Sequence, residues 1–277
     1  MKRLIVIIIA ALGLVSCHSI VFENRTDCPR FVFFKVTNPQ FFHQYDSMYV
    51  TVYRHPDGSQ VSAGKPLLRD VQNNDYFVEV RRTNAVKGYG LIGWKDLVRT
   101  ESEWHIPLGM QADTLYRFSY QAALEEDSIL IPVEFTKEHS KVTVQFVGIE
   151  TFEDAEGRFP FDLLVRSGTN GIDALTGVPT RGEFEYRPKE SETGRFYFVL
   201  PRQADAGLTL ELYGRPFLHN AEGHIKTFDL YRILKEYGGM DWNQRNLPDL
   251  FIEIDYQQTS VTVSIDAWDE SALHYDF

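Results

Sequence analysis

Cysteine is scarce in this chain: Cys17 and Cys28 are the only two among 277 residues. Two thiols are too few for a cysteine-based zinc site, which needs clustered thiolates, and we expect neither a metal nor a cofactor. Stability must therefore come from hydrophobic cores. A composition with 43% hydrophobic and 14% aromatic residues is sufficient to build them.

Basic residues and long apolar runs are also in short supply. The chain carries 28 Lys and Arg against 39 Asp and Glu, a formal net charge of −11. This balance argues against nucleic acid as a partner, because phosphate binding depends on Lys and Arg. It also supplies no basic patch for an anionic membrane surface. Beyond the N-terminus, no second stretch of the sequence has the length and apolar character of a membrane span.

The N-terminus has the organisation of a bacterial lipoprotein signal peptide. Lys2 and Arg3 precede an apolar stretch, Leu4 to Leu14, which is shorter than the ~20 residues that cross a bilayer. Leu14 to Cys17 match a lipobox, in which a small residue precedes the cysteine that receives diacylglycerol. We expect cleavage of residues 1–16 and acylation of Cys17, leaving 26 basic and 39 acidic residues, a net charge of −13. The alternative is an ordinary secretory signal with a chance cysteine.

The rest of the chain alternates apolar and polar residues with the period of a β-strand. Turn residues, such as those at 56–58 and 170–171, separate these runs. Short strands with turns at this spacing predict an all-β protein made of β-sandwiches, each sheet with one buried face. The apolar positions of the clearest runs are Val32, Phe34 and Val36; Val50 and Val52; Tyr116, Phe118 and Tyr120; Val142, Val144 and Phe146; Phe196, Phe198 and Leu200; Leu208, Leu210 and Leu212; and Ile252 and Ile254.

Two segments depart from the strand pattern. Residues 228–237 place Leu230, Leu234 and Tyr237 on one helical face, and Gly238 and Gly239 are a natural C-terminal stop. Residues 91–98 are a second, shorter candidate helix.

The polar stretch at residues 136–140 lies between two strong strand runs and predicts a domain boundary. The chain then divides into a signal peptide (1–16), a lipid-anchored linker (17–27), an N-terminal sandwich (28–138), a C-terminal sandwich (139–268) and a C-terminal tail (269–277).

The segment after the lipobox resembles the start of FimB-type fimbrial anchor lipoproteins of the Bacteroidota. Members of that family have an acidic or polar stretch, then Asp-Cys-Pro, then an apolar strand. Here the triplet is Asp27-Cys28-Pro29, and the strand begins with the apolar run at residues 31–34.

A second match lies in the last third of the chain. Residues 240–244, Met-Asp-Trp-Asn-Gln, lead through a turn with Asp249 into FIEIDY and then to Ser-Ile-Asp-Ala-Trp at 264–268. This resembles the closing helix–strand–strand of the same family, which ends in Ile-Asn-Gly-Trp. The chain departs from that ending by Asp266-Ala267 in place of Asn-Gly.

The resemblance implies two tandem transthyretin-like Greek-key β-sandwiches with a pilin-like fold. It also implies an outer-membrane position at the cell surface, with acyl chains such as palmitate on Cys17, and a fimbrial stalk subunit as partner. In such fimbriae an extended strand of one subunit completes the sheet of its neighbour, which is β-strand addition. An anchor held in the membrane by its N-terminus is expected to keep its own first strand and act as the donor.

The last strand run is the candidate donor. It places Val261, Val263, Ile265 and Ala267 on one face, which could fill successive pockets of a groove while the backbone bonds both edges. The alternative is that this run is simply the last strand of its own domain. The donor would then be residues 269–277, whose apolar residues alternate poorly.

No catalytic residues are assigned, and we expect no enzyme activity. Carboxylate clusters at 101–103 and 125–127 are interpreted as solvated loop charge, because a glycosidase needs two carboxylates placed across a bond in three dimensions. Sequence signatures of serine and cysteine nucleophiles are missing.

The rival function is a surface glycan-binding lipoprotein of a polysaccharide-uptake system. Sugar rings stack on aromatic side chains, for which the candidates are Phe41, Phe42 and Tyr45, and the pair Trp94 and Trp104. Exposed, coplanar rings would favour glycan binding, whereas buried rings beside an open or self-filled sheet edge would favour the anchor.

The lipobox generates the first prediction. Replacement Cys17→Ser should abolish incorporation of radiolabelled palmitate and release the protein from the outer-membrane fraction, because one cysteine carries the acyl chains. Cys28→Ser is the matched control and should keep both. Palmitate labelling that survives Cys17→Ser would contradict the assignment.

Overall fold

The computed structural model of the chain describes residues 28–38, 40–148, 159–215, 223–255 and 260–266. The signal peptide, Cys17 and its linker, Ala267 and the tail at 269–277 lie outside the described residues. None of the helices described in these ranges has the length and apolar character needed to cross a membrane.

Ten strands and two short helices form from the first part of the chain. In order they are β1 (Arg30–Val36), α1 (Phe41–Gln44), β2 (Tyr49–Arg54), β3 (Gln60–Gly64), α2 (Leu68–Gln72), β4 (Phe77–Val80), β5 (Ala85–Ile92), β6 (Val98–Thr100), β7 (Glu103–His105), β8 (Tyr116–Ala123), β9 (Ser128–Val133) and β10 (Thr136–Lys137).

The described remainder of the chain supplies the other strands and one more helix. In order they are β11 (His139–Val147), β12 (Phe161–Asp173), β13 (Pro179–Tyr186), β14 (Glu190–Glu192), β15 (Arg195–Pro201), β16 (Thr209–Gly214), β17 (Gly223–Asp229), α3 (Leu230–Glu236), β18 (Asp249–Asp255) and β19 (Ser260–Asp266).

The first sandwich packs a three-stranded sheet, β4-β1-β9, on a five-stranded sheet, β10-β8-β5-β2-β3. Alternation in β1 buries Val32 and Phe34 completely in the core between them. A close approach explains one glycine of β5: a Cβ atom on Gly90 would lie 2.1 Å from the ring of Phe118, so only glycine leaves room for that ring.

The second sandwich packs β14-β15-β11-β18-β19 on β17-β16-β12-β7-β6, with β13 on the other edge of β12. The predicted helix is present as α3, and the Oδ1 atom of Asp229 caps it by accepting from the Arg232 amide at 2.9 Å. Leu230 and Leu234 are buried as predicted, but Tyr237 is 64% exposed because the helix ends before it. The predicted all-β fold of paired sandwiches, with a short helix in the second, is confirmed; α1 and α2 were not predicted.

The second predicted helix, at residues 91–98, is wrong. Leu91 continues β5, and Gly93 then takes a positive φ of 79°. The carboxylate of Asp113 accepts the amides of Lys95 and Asp96 at 2.7 and 3.0 Å, so these donors serve a turn instead of a helix.

Strand pairing crosses the predicted division at 138/139. The β6–β7 hairpin belongs to the N-terminal half of the sequence, yet Trp104 pairs with Ile172 of β12 and His105 pairs with Gly171. A third cluster of buried residues joins the two sandwiches on the outer face of β10-β8-β5-β2-β3, the five-stranded sheet of the first sandwich. Its buried members are Tyr89, Leu91, Trp104, Leu115, Ile172 and Ala174.

This shared cluster generates the second prediction. Trp104 is 4% exposed, so Trp104→Ala should lower the free energy of unfolding by about 3 to 5 kcal/mol in urea titrations. Trp94→Ala, at a half-buried neighbouring ring, is the control and should cost clearly less. Equal losses from the two substitutions would show that Trp104 is not central to the joint between the sandwiches.

Candidate functional site: the β19 edge and the domain junction

Three of the four candidate donor residues lie in one strand, β19, which pairs antiparallel with β18. Val261 is opposite Ile254 and Val263 is opposite Ile252, and both valines are half-buried against the second core. Ile265 follows in the same strand, whereas Ala267 lies outside the described residues. In the described part of the chain β19 is the outermost strand of its sheet, so its second backbone edge has no strand partner there.

A groove runs between the edges of the two sheets of the second sandwich. The bordering elements are β19, β17, which is the outermost described strand of the opposite sheet, and α3. The empty volume is about 1030 Å³ and includes space open to solvent. The lining residues are Lys226, Thr227, Phe228, Asp229, Arg232, Ile233, Tyr237 and Val261.

The groove combines an apolar floor with a charged rim. The ammonium of Lys226 lies 4.8 Å from the ring centroid of Phe228, and Arg232 pairs with Glu236 at 3.4 Å. Side chains of this kind, beside an open strand edge, suit an extended peptide that alternates apolar and polar residues.

Strand β18, the partner of β19, is tied to the domain junction, where the polar stretch predicted to be a domain boundary is largely buried. Lys137, Glu138, His139 and Ser140 are at most 4% exposed. The Nζ atom of Lys137 lies 2.5 Å from Oδ1 of Asp249, the first residue of β18, and the amide of Lys141 donates to the same oxygen at 2.8 Å. Burial lowers the pKa of Lys137, and the Asp249 carboxylate opposes that shift.

Glu138 is held between two guanidinium groups. Its carboxylate lies 3.1 Å from Nε of Arg117 and 2.6 Å from Nε of Arg202. Arg202 also donates to the carbonyl oxygens of Gln244 and Arg245, at 2.8 and 3.1 Å. One buried arginine therefore ties the start of the second sandwich to the loop that leads into β18.

His139 lies at the centre of the junction and is fully buried. Its Nδ1 atom is 3.0 Å from the carbonyl oxygen of Leu115, and Nε2 has no hydrogen-bond partner among the described residues. Burial, with a smaller contribution from the charge of Lys137, lowers the pKa of His139 to about 3. The imidazole is therefore neutral, and Nδ1–H donates to Leu115.

Of the aromatic residues proposed for glycan stacking, Phe41 and Trp104 are buried and Tyr45 and Trp94 are half-buried, whereas the side chain of Phe42 lies outside what the structure describes. Trp104 is buried, and Trp94 meets it edge to face, at 6.2 Å and an interplanar angle of 68°. Lys65 lies over the Trp94 ring at 4.8 Å. Phe41 is buried and packs on Tyr116 at 4.9 Å. These rings form no coplanar platform for a sugar.

The carboxylate clusters lie on exposed turns, at 101–103 in the β6–β7 hairpin and at 125–127 before β9. Across the residues that the structure describes, no group of three or more His, Cys, Asp or Glu side chains could hold a metal ion. The buried junction could not be predicted from sequence, because the residues at 136–140 have the polar composition of an exposed segment.

No family model matches the chain, and no curated protein matches its sequence. Solved structures with this architecture do exist. The fimbrial anchor protein Mfa2 from Porphyromonas gingivalis has a TM-score of 0.60 at 14% identity, over 87% of this chain and 98% of that one. A protein from Bacteroides thetaiotaomicron, provisionally described as polysaccharide-binding, has a TM-score of 0.58 at 12% identity, over 87% and 96%.

A third structure, from Bacteroides ovatus and provisionally described as an adhesin, has a TM-score of 0.55 at 13% identity, over 87% and 94%. The shared property is the fold. At 12 to 14% identity these similarities say nothing by themselves about the activity of this chain.

The buried histidine generates the third prediction. Since the pKa of His139 is about 3 in the folded state and near 6.5 when unfolded, only the unfolded chain takes up a proton between these values. The contribution of His139 to the free energy of unfolding should be fully present above about pH 6.5. It should fall on acidification, by up to about 1.4 kcal/mol per pH unit.

Replacement His139→Phe should remove this component, and the carbonyl of Leu115 keeps its bond from the Glu138 amide at 3.0 Å. The measurement is urea unfolding from pH 7 to pH 4 for both proteins. Parallel pH profiles for the wild type and the variant would show that His139 does not titrate as described.

Proposed function

We propose that this protein is a non-enzymatic outer-membrane lipoprotein, acylated at Cys17, that anchors or assembles a fimbria by β-strand addition with a stalk subunit. The observation that carries the proposal is the β19 edge: a half-buried outer strand beside an open groove, in a fold shared with a fimbrial anchor protein. The lipobox supplies the membrane attachment at the opposite end of the chain.

Two modes of strand addition are compatible with this edge. In the first, β19 leaves β18 and enters a groove of the stalk subunit, with Val261, Val263, Ile265 and Ala267 as its apolar face. In the second, β19 stays in place and an extended strand of the partner pairs with its outer edge. The second mode keeps the seven residue pairs that join β18 and β19, so it requires less rearrangement of the anchor.

The junction suits a protein that must withstand pulling. Strand β11 lies between β15 and β18 in its sheet and pairs with β18 in parallel. It begins at His139, directly after the buried pair Lys137 and Glu138. A load applied at β19 would therefore pass through β18 to β11 and into the first sandwich, which the proposed lipid anchor holds.

Packing of the aromatic candidates supports the anchor over the glycan-binding alternative. Stacking on a sugar needs an exposed ring face, whereas Trp104 is buried and the face of Trp94 is covered by Lys65.

A disulfide lock separates the two modes and gives the fourth prediction. Glu253 and Thr262 are directly opposite across β18 and β19, at a separation typical of bridgeable pairs, so Glu253→Cys with Thr262→Cys should close a bond. The background carries Cys28→Ser to prevent mispairing. If β19 is donated, the oxidised protein should lose capture of the stalk subunit by at least tenfold, and dithiothreitol should restore it.

If the partner pairs with the outer edge, the locked protein should capture as well as the wild type. The measurement is the amount of pilin that co-elutes from detergent-solubilised outer membrane. Deletion of residues 260–277 from folded protein then serves as the decisive control, since both modes need β19. Unchanged pilin capture by that truncated protein would refute strand addition at this edge.

A further inference from the structure

The outer face of the three-stranded sheet β4-β1-β9 is apolar. Its central row consists of Phe77, Phe33 and Leu130, which are opposite one another in the strand register. Phe77 is 49% exposed and Leu130 is 50% exposed. Phe31 and Pro132 extend the row along β1 and β9, and these five side chains are called the aromatic face below.

The three phenylalanines support one another. The Phe77 ring lies 5.4 Å from Phe31, edge to face, and 5.7 Å from Phe33. The charged residues on this face of the sheet are Lys35, which lies outward on β1, and Glu79, which is paired with Arg81 at 2.6 Å; three further carboxylates border the face at the start of β9. The five side chains of the aromatic face are themselves uncharged.

The aromatic face points away from the other described parts of the protein. The opposite face of this sheet packs on the five-stranded sheet, and the outer face of that second sheet packs on β7 and β12. The layers therefore follow one another from the aromatic face to the second sandwich. A surface in contact with the aromatic face would leave the β19 edge free.

The aromatic face is close in sequence to Cys17, the proposed acylation site, which indicates that its contact is the membrane. Strand β1 begins at Arg30, 13 residues after Cys17. A fully extended segment of that length spans at most about 45 Å. An acyl group on Cys17 would thus hold the aromatic face within a short distance of the bilayer, at a high local concentration.

We propose that the aromatic face lies against the lipid surface and that Phe31, Phe33 and Phe77 insert into its interfacial layer, so that the anchor stands in one orientation. This rests on the proposed acylation of Cys17. Aromatic side chains favour the interface between water and hydrocarbon. A stable dimer needs about 800 Å² from each partner, and five side chains offer a patch well below that size.

The charges next to the aromatic face indicate which lipid headgroups it should prefer. Glu125, Glu126 and Asp127 are exposed at the start of β9, at the same end as the tether. They would repel an anionic surface, so contact should be strongest on zwitterionic headgroups.

The test uses the acylated full chain in vesicles of phosphatidylcholine and phosphatidylethanolamine that contain a nitroxide-labelled lipid. In a Cys28→Ser background, a fluorophore is attached at Ser128→Cys, beside Phe31, or at Tyr197→Cys, a 49% exposed site in the second sandwich. The lipid should quench the first label at least twofold and leave the second unchanged.

Proximity from the tether alone is separated by substitution within the face. Phe77→Ser should reduce the quenching at position 128 to the level at 197, whereas Phe77→Leu, which stays apolar, should keep most of it. Equal quenching for the Ser and Leu variants would overturn the proposal, since the tether would then account for the contact. A detergent-stable dimer that Phe77→Ser dissociates would overturn it in favour of a second copy.

Flotation of the same vesicles separates this inference from the proposed function. Protein that floats with vesicles but shows no quenching at 128 would retain the lipid anchor and overturn the aromatic contact. Protein that neither carries acyl chains nor floats would contradict both.

Discussion

The buried charged network at the domain junction is the interaction on which the arrangement of this protein depends. Charges removed from water are costly unless each is paired and hydrogen-bonded. Here Lys137 is paired with Asp249, and Glu138 is paired with two arginines, Arg117 and Arg202. Such a network is satisfied in one geometry, so it specifies how the sandwiches meet more strongly than apolar contacts alone would.

Hydrophobic packing completes the joint. The β6–β7 hairpin is covalently part of the first half, yet it extends a sheet of the second sandwich, and Trp104 fills the space between them. The two modules therefore share a sheet, a core and an ion network. The consequence for function is a body with a tether proposed at one end and, at the other, a strand edge that has no strand partner among the described residues.

Much of the fold could be predicted from sequence because its physics is local. Alternation identifies strands such as β1 and β11, and the helical spacing of Leu230 and Leu234, with Gly238 and Gly239 beyond the end, predicts α3. The junction could not be predicted in this way. Residues 136–140 are polar, and the cost of burying them is offset only by ion-pair partners that are distant in sequence. The helix prediction for residues 91–98 was wrong for the same reason, since the distant carboxylate of Asp113 accepts hydrogen bonds from two amides of this segment.

The candidate site, too, could be predicted from the sequence only in part. The apolar period of β19 is visible in the sequence, but its pairing with β18 and the groove beside α3 depend on contacts across the sandwich. The central claim is that the junction makes one rigid body. Pulsed electron–electron double resonance tests it directly, by measuring the distance between spin labels at Ser128→Cys and Tyr197→Cys in a Cys28→Ser background. We expect one narrow distance distribution; a broad or two-component distribution would contradict the account.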